Sequence, residues 1–234
     1  MRKTLLGLTA LGGVALGAAP SYAVLQLSLD INGAVFSCVD NTACDTNPTV
    51  GILQTGNQTF NGVTFLGSSQ TQLTGLTNEL TTTSFQITNN NAGAITYQLA
   101  VGGTSFVGPV TTIHNSGSGT WTNAIGSTIT QVFHADATNA QGAGTPTSLP
   151  GGNLFTETST AVLLNDSFSN SNSAPFAAAG LYSMTEGASG SITAGGQLTG
   201  RSQSMIAFNA PEPASLALLS VGLLGLGFLR LRRS

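Results

Sequence analysis

The chain has 234 residues, with charged side chains at only 6% and hydrophobic ones at 41%. Residues 24–210 carry one cation, Arg201, against Asp30, Asp40, Asp45, Glu79, Asp136, Glu157, Asp166 and Glu186. That balance excludes a nucleic-acid binder, which needs cations to displace phosphate counterions, and a basic peripheral membrane protein. The mean hydropathy of +0.22 excludes a disordered acidic chain.

Residues 1–23 read as a secretory signal peptide. Arg2 and Lys3 form the positive start, Leu5 to Ala19 the apolar stretch, and Pro20 the break. Ser21 and Ala23 then supply small residues at −3 and −1 of a signal-peptidase site after Ala23. The alternative, an uncleaved anchor, needs roughly 20 apolar residues. Export makes the compartment oxidising.

Residues 24–210 read as one all-β domain, an antiparallel β-sandwich. In chain order the strand candidates are Leu25–Ile31, Gly33–Cys38, Thr49–Gln54 and Gly62–Leu66. The alternating pairs Phe85/Ile87 and Ile95/Tyr97/Leu99/Val101 follow, then Thr128–His134 and the shared parity of Val162, Leu164 and Phe168. Pro175–Thr185 and Gly190–Thr199 complete the set. Period-2 alternation marks strands with one buried face. Asn89–Gly93, between two alternating runs, predicts a hairpin. Residues 137–152 predict a long surface loop. Solubility rests on hydroxyls and amides, since the one lysine is Lys3.

Chemistry-bearing residues are sparse. Cys38 and Cys44 predict a disulfide in an oxidising compartment. Free thiols or a metal pair are the alternatives, and only His114 and His134 could complete a zinc site. Asp40, Asn41, Asp45 and Asn47 suit turn chemistry, or calcium as the minor reading. His134 and Asp136 share strand parity, and Glu157 with Asp166 could pose as a glycosidase pair. No nucleophile motif of the GxSxG kind accompanies them. Solvated edge histidines and surface carboxylates are the expectation, with no catalytic residue, metal or cofactor.

Residues 211–234 form a three-part tail. Pro211-Glu212-Pro213 comes first, then the uncharged run 214–229, then Arg230, Arg232 and Arg233. As a helix the run spans about 24 Å, and snorkelling arginines extend its reach. The arginines act as a cytoplasmic stop, so a transmembrane helix over 214–229 is expected.

This tail closely resembles the PEP-CTERM sorting signal of Gram-negative bacteria. The resemblance implies recognition by an exosortase, a membrane transpeptidase-like enzyme, and association with exopolysaccharide and biofilm matrix. Such tails also go by the name of an ice-binding protein C-terminal domain. Phe36–Pro48, Gly117–Asn123 and Thr199–Ser204 are similar to segments of other PEP-CTERM proteins. The implied history is an inner-membrane precursor with its domain in the periplasm, then release to the cell surface or beyond. The implied function is a non-catalytic exported component of matrix or envelope. The alternative is a carbohydrate- or ice-surface-binding module using Trp121 as a stacking ring, and a secreted hydrolase comes third.

Overall fold

A computed structural model describes residues 24–74 and 77–209. The expectations for the signal peptide with Ala23, the motif Pro211, Glu212 and Pro213, the span 214–229 and Arg230, Arg232 and Arg233 lie outside these residues. Among the described residues no helix is long and apolar enough to cross a membrane.

The strands are β1 (Leu25–Ile31), β2 (Ala34–Val39), β3 (Ile52–Gln54), β4 (Gln58–Phe60), β5 (Val63–Leu73), β6 (Thr77–Asn89) and β7 (Ile95–Val107). They continue as β8 (Val110–Thr122), β9 (Thr128–Asp136), β10 (Gly152–Thr160), β11 (Asn165–Ala178), β12 (Leu181–Ile192) and β13 (Gln197–Asn209). Two antiparallel sheets result. The first has the order β10-β9-β12-β7-β1-β2, and the second β11-β8-β13-β6-β5-β3 with β4 also on β5. Their inner faces meet in one apolar core, as in a β-sandwich.

Asn89–Gly93 is not a hairpin. β6 belongs to the second sheet and β7 to the first, so this turn carries the chain across the sandwich. The reason is the buried Asn89. Its Nδ2 donates to the carbonyls of Gly93, Ile192 and Thr193 at 2.8, 3.0 and 3.0 Å, and its Oδ1 accepts from Asn91 N–H at 3.0 Å. One amide therefore ties the β6–β7 turn to the β12–β13 turn.

Two expected strands are each divided by a turn. Pro175–Thr185 breaks at Ala179-Gly180 between β11 and β12, and Gly190–Thr199 breaks at residues 193–196. Val162 and Leu164 lie exposed in the β10–β11 loop, not on a half-buried strand.

Trp121 is a core residue at 2% exposure, packed against Phe168 with ring centroids 5.9 Å apart. Below these rings, Gly119 and Gly200 face one another across β8 and β13, flanked by Phe168 on β11 and Phe85 on β6. A Cβ on Gly200 would sit 1.9 Å from the Phe85 ring, and one on Gly119 would sit 2.5 Å from that of Phe168. The missing side chains let both rings lie flat across neighbouring strands.

Asn89→Ala leaves three carbonyls and one N–H without their partner. It is expected to lower unfolding free energy by about 1–3 kcal/mol, read as a lower urea midpoint at unchanged m-value.

Candidate functional site

A cleft of about 320 Å³ lies on the outer face of the first sheet, beneath the β9–β10 loop. Val132, Pro146 and Leu149 form its apolar walls, and Gln98, His134, Thr147 and Ser189 present polar groups. Gly187 makes room for it, since a Cβ there would sit 2.7 Å from Val132 and 2.8 Å from Leu149.

The loop over 137–151 contains no strand, as its composition predicts, but it is pinned to the sheet. Ser28 Oγ donates to the Ala143 carbonyl, Gln141 Nε2 donates to those of Val24 and Gly102 at 3.1 and 3.3 Å, and Asn139 Oδ1 accepts from Ser105 N–H at 2.6 Å. Asp136 anchors the loop's start, accepting from the N–H groups of Thr138 and Ala140 and from Thr138 Oγ1. Burial pushes the Asp136 carboxyl up, but those donors outweigh it and hold the pKa below the ordinary carboxylate value. The cleft is thus formed before any ligand arrives.

His134 is not an edge histidine, because β9 is flanked by β10 and β12. Desolvation lowers its pKa, partly offset by the Pro150 and Gly151 carbonyls, so the imidazole is neutral at pH 7. His114 also lies on an interior strand, but it is exposed, sharing a 2.6 Å hydrogen bond between its Nδ1 and Ser173 Oγ and packing edge-on to Phe208. It borders a second depression of about 300 Å³ on the other sheet. There Ser169 pairs with Ser118, and Ser171 with Ser116, which pairs in turn with Ser204. Periodic hydroxyls thus replace charge on this face.

Glu157 lies on β10 of the first sheet and Asp166 on β11 of the second. Asp166 accepts from the N–H groups of Val162, Leu163 and Ser167.

Cys38 and Cys44 form a disulfide, in accord with their spacing and compartment. The adjacent Asx residues organise the loop. Asp45 accepts from the N–H groups of Asn41, Asn47 and Gln54, and Asp40 accepts from that of Gly51 at 2.7 Å. Burial and then the neighbouring Asp45 carboxyl raise the Asp40 pKa. No group of three or more metal-ligating side chains occurs among the described residues. Trp121, being buried, cannot stack on a sugar, which corrects the expectation for that ring.

Sequence reading missed a polar seam inside the sandwich. Glu186 on β12 is buried and accepts from Thr82 Oγ1 on β6 at 2.6 Å, and Thr82 also meets Ser69 at 3.3 Å. Gln131 on β9 reaches across to Asn170 on β11 and covers Gly117. Glu186 fell between the expected strands Pro175–Thr185 and Gly190–Thr199, and Asn170 lay in no expected strand. Burial pushes the Glu186 carboxyl up to about 8, so it stays protonated at neutral pH.

The described residues define an all-β domain of two antiparallel sheets packed face to face. Residues 209–233 match the PEP-CTERM protein-sorting motif. The chain therefore carries a PEP-CTERM sorting signal, the mark of an exported protein processed at the membrane by an exosortase. No curated protein matches the sequence. Among solved structures, TmCBM61 in complex with β-1,4-galactotriose is similar at 12% identity over 54% of this chain and 80% of that one, with a TM-score of 0.31. A structure of carbohydrate-binding modules from the β-sandwich superfamily shares 13% identity over 81% and 85%, with a TM-score of 0.28. The enzymatically active domain of bacteriophage CBA120 tailspike protein 4 shares 12% identity over 62% and 19%, with a TM-score of 0.24.

Glu186 gives stability a pH dependence. Its folded pKa of about 8 lies above the ordinary 4.5, so folding takes up a proton between these values. Its contribution is complete below pH 4.5 and is lost progressively as pH rises to about 8, at a slope on the order of 1 kcal/mol per pH unit. Glu186→Gln is expected to flatten that slope in urea unfolding compared at pH 5 and pH 7.5. Equal slopes in both proteins would contradict the assignment.

Proposed function

We propose that this is a non-catalytic exported protein of the cell envelope or extracellular matrix, whose domain binds neutral exopolysaccharide. In this reading residues 214–229 span the inner membrane, Arg230, Arg232 and Arg233 stay in the cytoplasm, and exosortase cuts near Pro211-Glu212-Pro213. The carrying observation is the sorting motif at 209–233, which begins where β13 ends.

Support for the ligand class comes from the preformed cleft. Neutral Gln98, His134, Thr147 and Ser189 offer donors and acceptors, and Pro146 and Leu149 offer apolar contact for a sugar's C–H faces. A second reading, a module for hydroxylated or ice surfaces, draws on the serine ladder of β11, β8 and β13.

Two outcomes test the proposal. Cell fractions are blotted with antiserum to the domain, with and without the exosortase. Replacement of Glu212 or of both prolines is expected to leave insertion intact and block release, while replacement of the three arginines impairs retention before cutting. Equal persistence of the full-length form in both strains would make the tail a permanent anchor. For the ligand, affinity electrophoresis in the producing strain's own exopolysaccharide is expected to retard the native domain. Ser189→Trp, which fills the cleft, should weaken retardation at least about tenfold, as expected when a shaped polar site is blocked. Ser116→Trp on the opposite sheet should leave it unchanged, and the reverse pattern favours the second reading.

A further inference from the structure

Both ends of the described domain lie at the same end of the sandwich. Leu25, which opens β1, pairs with Gly103 near the close of β7. Asn209, which closes β13, pairs with Val110, which opens β8 just after β7. Large apolar side chains are exposed at that end, among them Val24 at 53%, Val107 at 48%, Leu181 at 48% and Phe208 at 44%. Val107 and Leu181 are direct cross-strand partners.

The chain leaves this end with almost no spacer. The uncharged run begins at Ala214, five residues beyond Asn209. Five residues reach at most about 18 Å when fully extended. On the tail reading of the preceding section, on which this inference rests, the exposed apolar end is therefore held at the membrane surface. The opposite end, with its own exposed Ile125, Val162, Leu163 and Leu164, lies one strand length away. Thirteen-residue strands such as β6 and β8 place that end roughly 40 Å off.

Charge selects the lipid. The acids at the near end are Glu79, which accepts from Thr81 Oγ1, and Asp40, Asp45 and Asp136, which accept from backbone N–H groups. Arg201, the one cation among the described residues, lies mid-strand on β13 and away from this end. Nothing there attracts anionic headgroups, so the contact is apolar and suits a zwitterionic surface.

We propose that in the uncut precursor this end of the sandwich rests in the bilayer interface through Val24, Val107, Leu181 and Phe208, and that cutting at the sorting motif frees it. The released domain, having lost its tether, leaves the bilayer.

The test uses the full-length precursor in phosphatidylcholine vesicles. Single cysteines, Val107→Cys and Leu181→Cys at the near end and Ile125→Cys and Leu163→Cys at the far end, carry an environment-sensitive fluorophore. The native pair is disulfide-bonded and does not react. Brominated phosphatidylcholine is expected to quench the near-end labels at least about twofold and to leave the far-end labels unchanged, as contact within the interface requires. Near-end labels quenched no more than far-end ones overturn the proposal while the tail reading stands. A precursor that does not float with the vesicles overturns the tail reading, and the proposal with it.

Discussion

The structure depends on a chain that changes sheet at most of its turns. β6 and β7, β7 and β8, β8 and β9, β10 and β11, β11 and β12, and β12 and β13 are all consecutive in sequence and lie in opposite sheets. Neither sheet can be completed without the other, because β7, β8, β11, β12 and β13 pair only with strands that do not adjoin them in sequence. β13 makes this acute. It is the last strand and lies between β8 and β6 in the middle of its sheet. Residues up to Asn209 must therefore be outside before the sandwich closes, and the sorting motif follows at once. Export, folding and processing share one boundary in the sequence.

The same topology explains the polar interior. Where the two sheets face each other, Asn89, Glu186, Gln131 and Asn78 make contacts from one sheet to the other. Asn78 Nδ2 donates to the Val107 carbonyl at 2.8 Å and to the Tyr182 hydroxyl at 2.9 Å, joining β6 to β7 and β12. Burial raises the Tyr182 pKa to about 12, only partly offset by that bond. Apolar attraction is non-directional, whereas such bonds need one alignment of the sheets. With charge nearly absent, buried amides are the remaining means of fixing how the sheets face each other.

Legibility in the sequence followed hydrophobic contrast. β1 and β9 were readable within a residue or two, and β7 from its start at Ile95, although it runs six residues past the alternation that ends at Val101. β8 and β10 were missed, and β11 was read only at Phe168 and from Pro175 on, because large apolar residues are few and widely spaced along these strands. In β11, Ser167, Ser169, Ser171 and Ser173 point outward, while the inward set contains Asn170 and Asn172 beside Phe168. No pattern of apolar residues marks such a strand, and its partners alone hold it. Asn89–Gly93 was read correctly as a turn, but not which sheet follows it, and Gly102-Gly103, which also reads as a turn signal, lies inside β7. Asn-rich turns serve a hairpin and a crossing equally well, and only Asn89's distant acceptors on β12 and the β12–β13 turn decide between the two.

The candidate site divides along the same line. The disulfide and the sorting motif are local in sequence, and both were legible. The cleft is not, since Gln98, His134, Pro146 and Ser189 converge only because β7 and β9 flank β12 and a pinned loop folds back over them. Trp121 shows the opposite failure. A lone tryptophan in a polar chain looks like a ligand platform, yet a thin core of modest side chains needs its largest ring inside. Where charge is scarce and aromatics few, the core claims the tryptophan first. On the proposed reading, recognition is then left to hydroxyls, amides and a neutral imidazole, which suits a ligand that is itself neutral and hydroxylated.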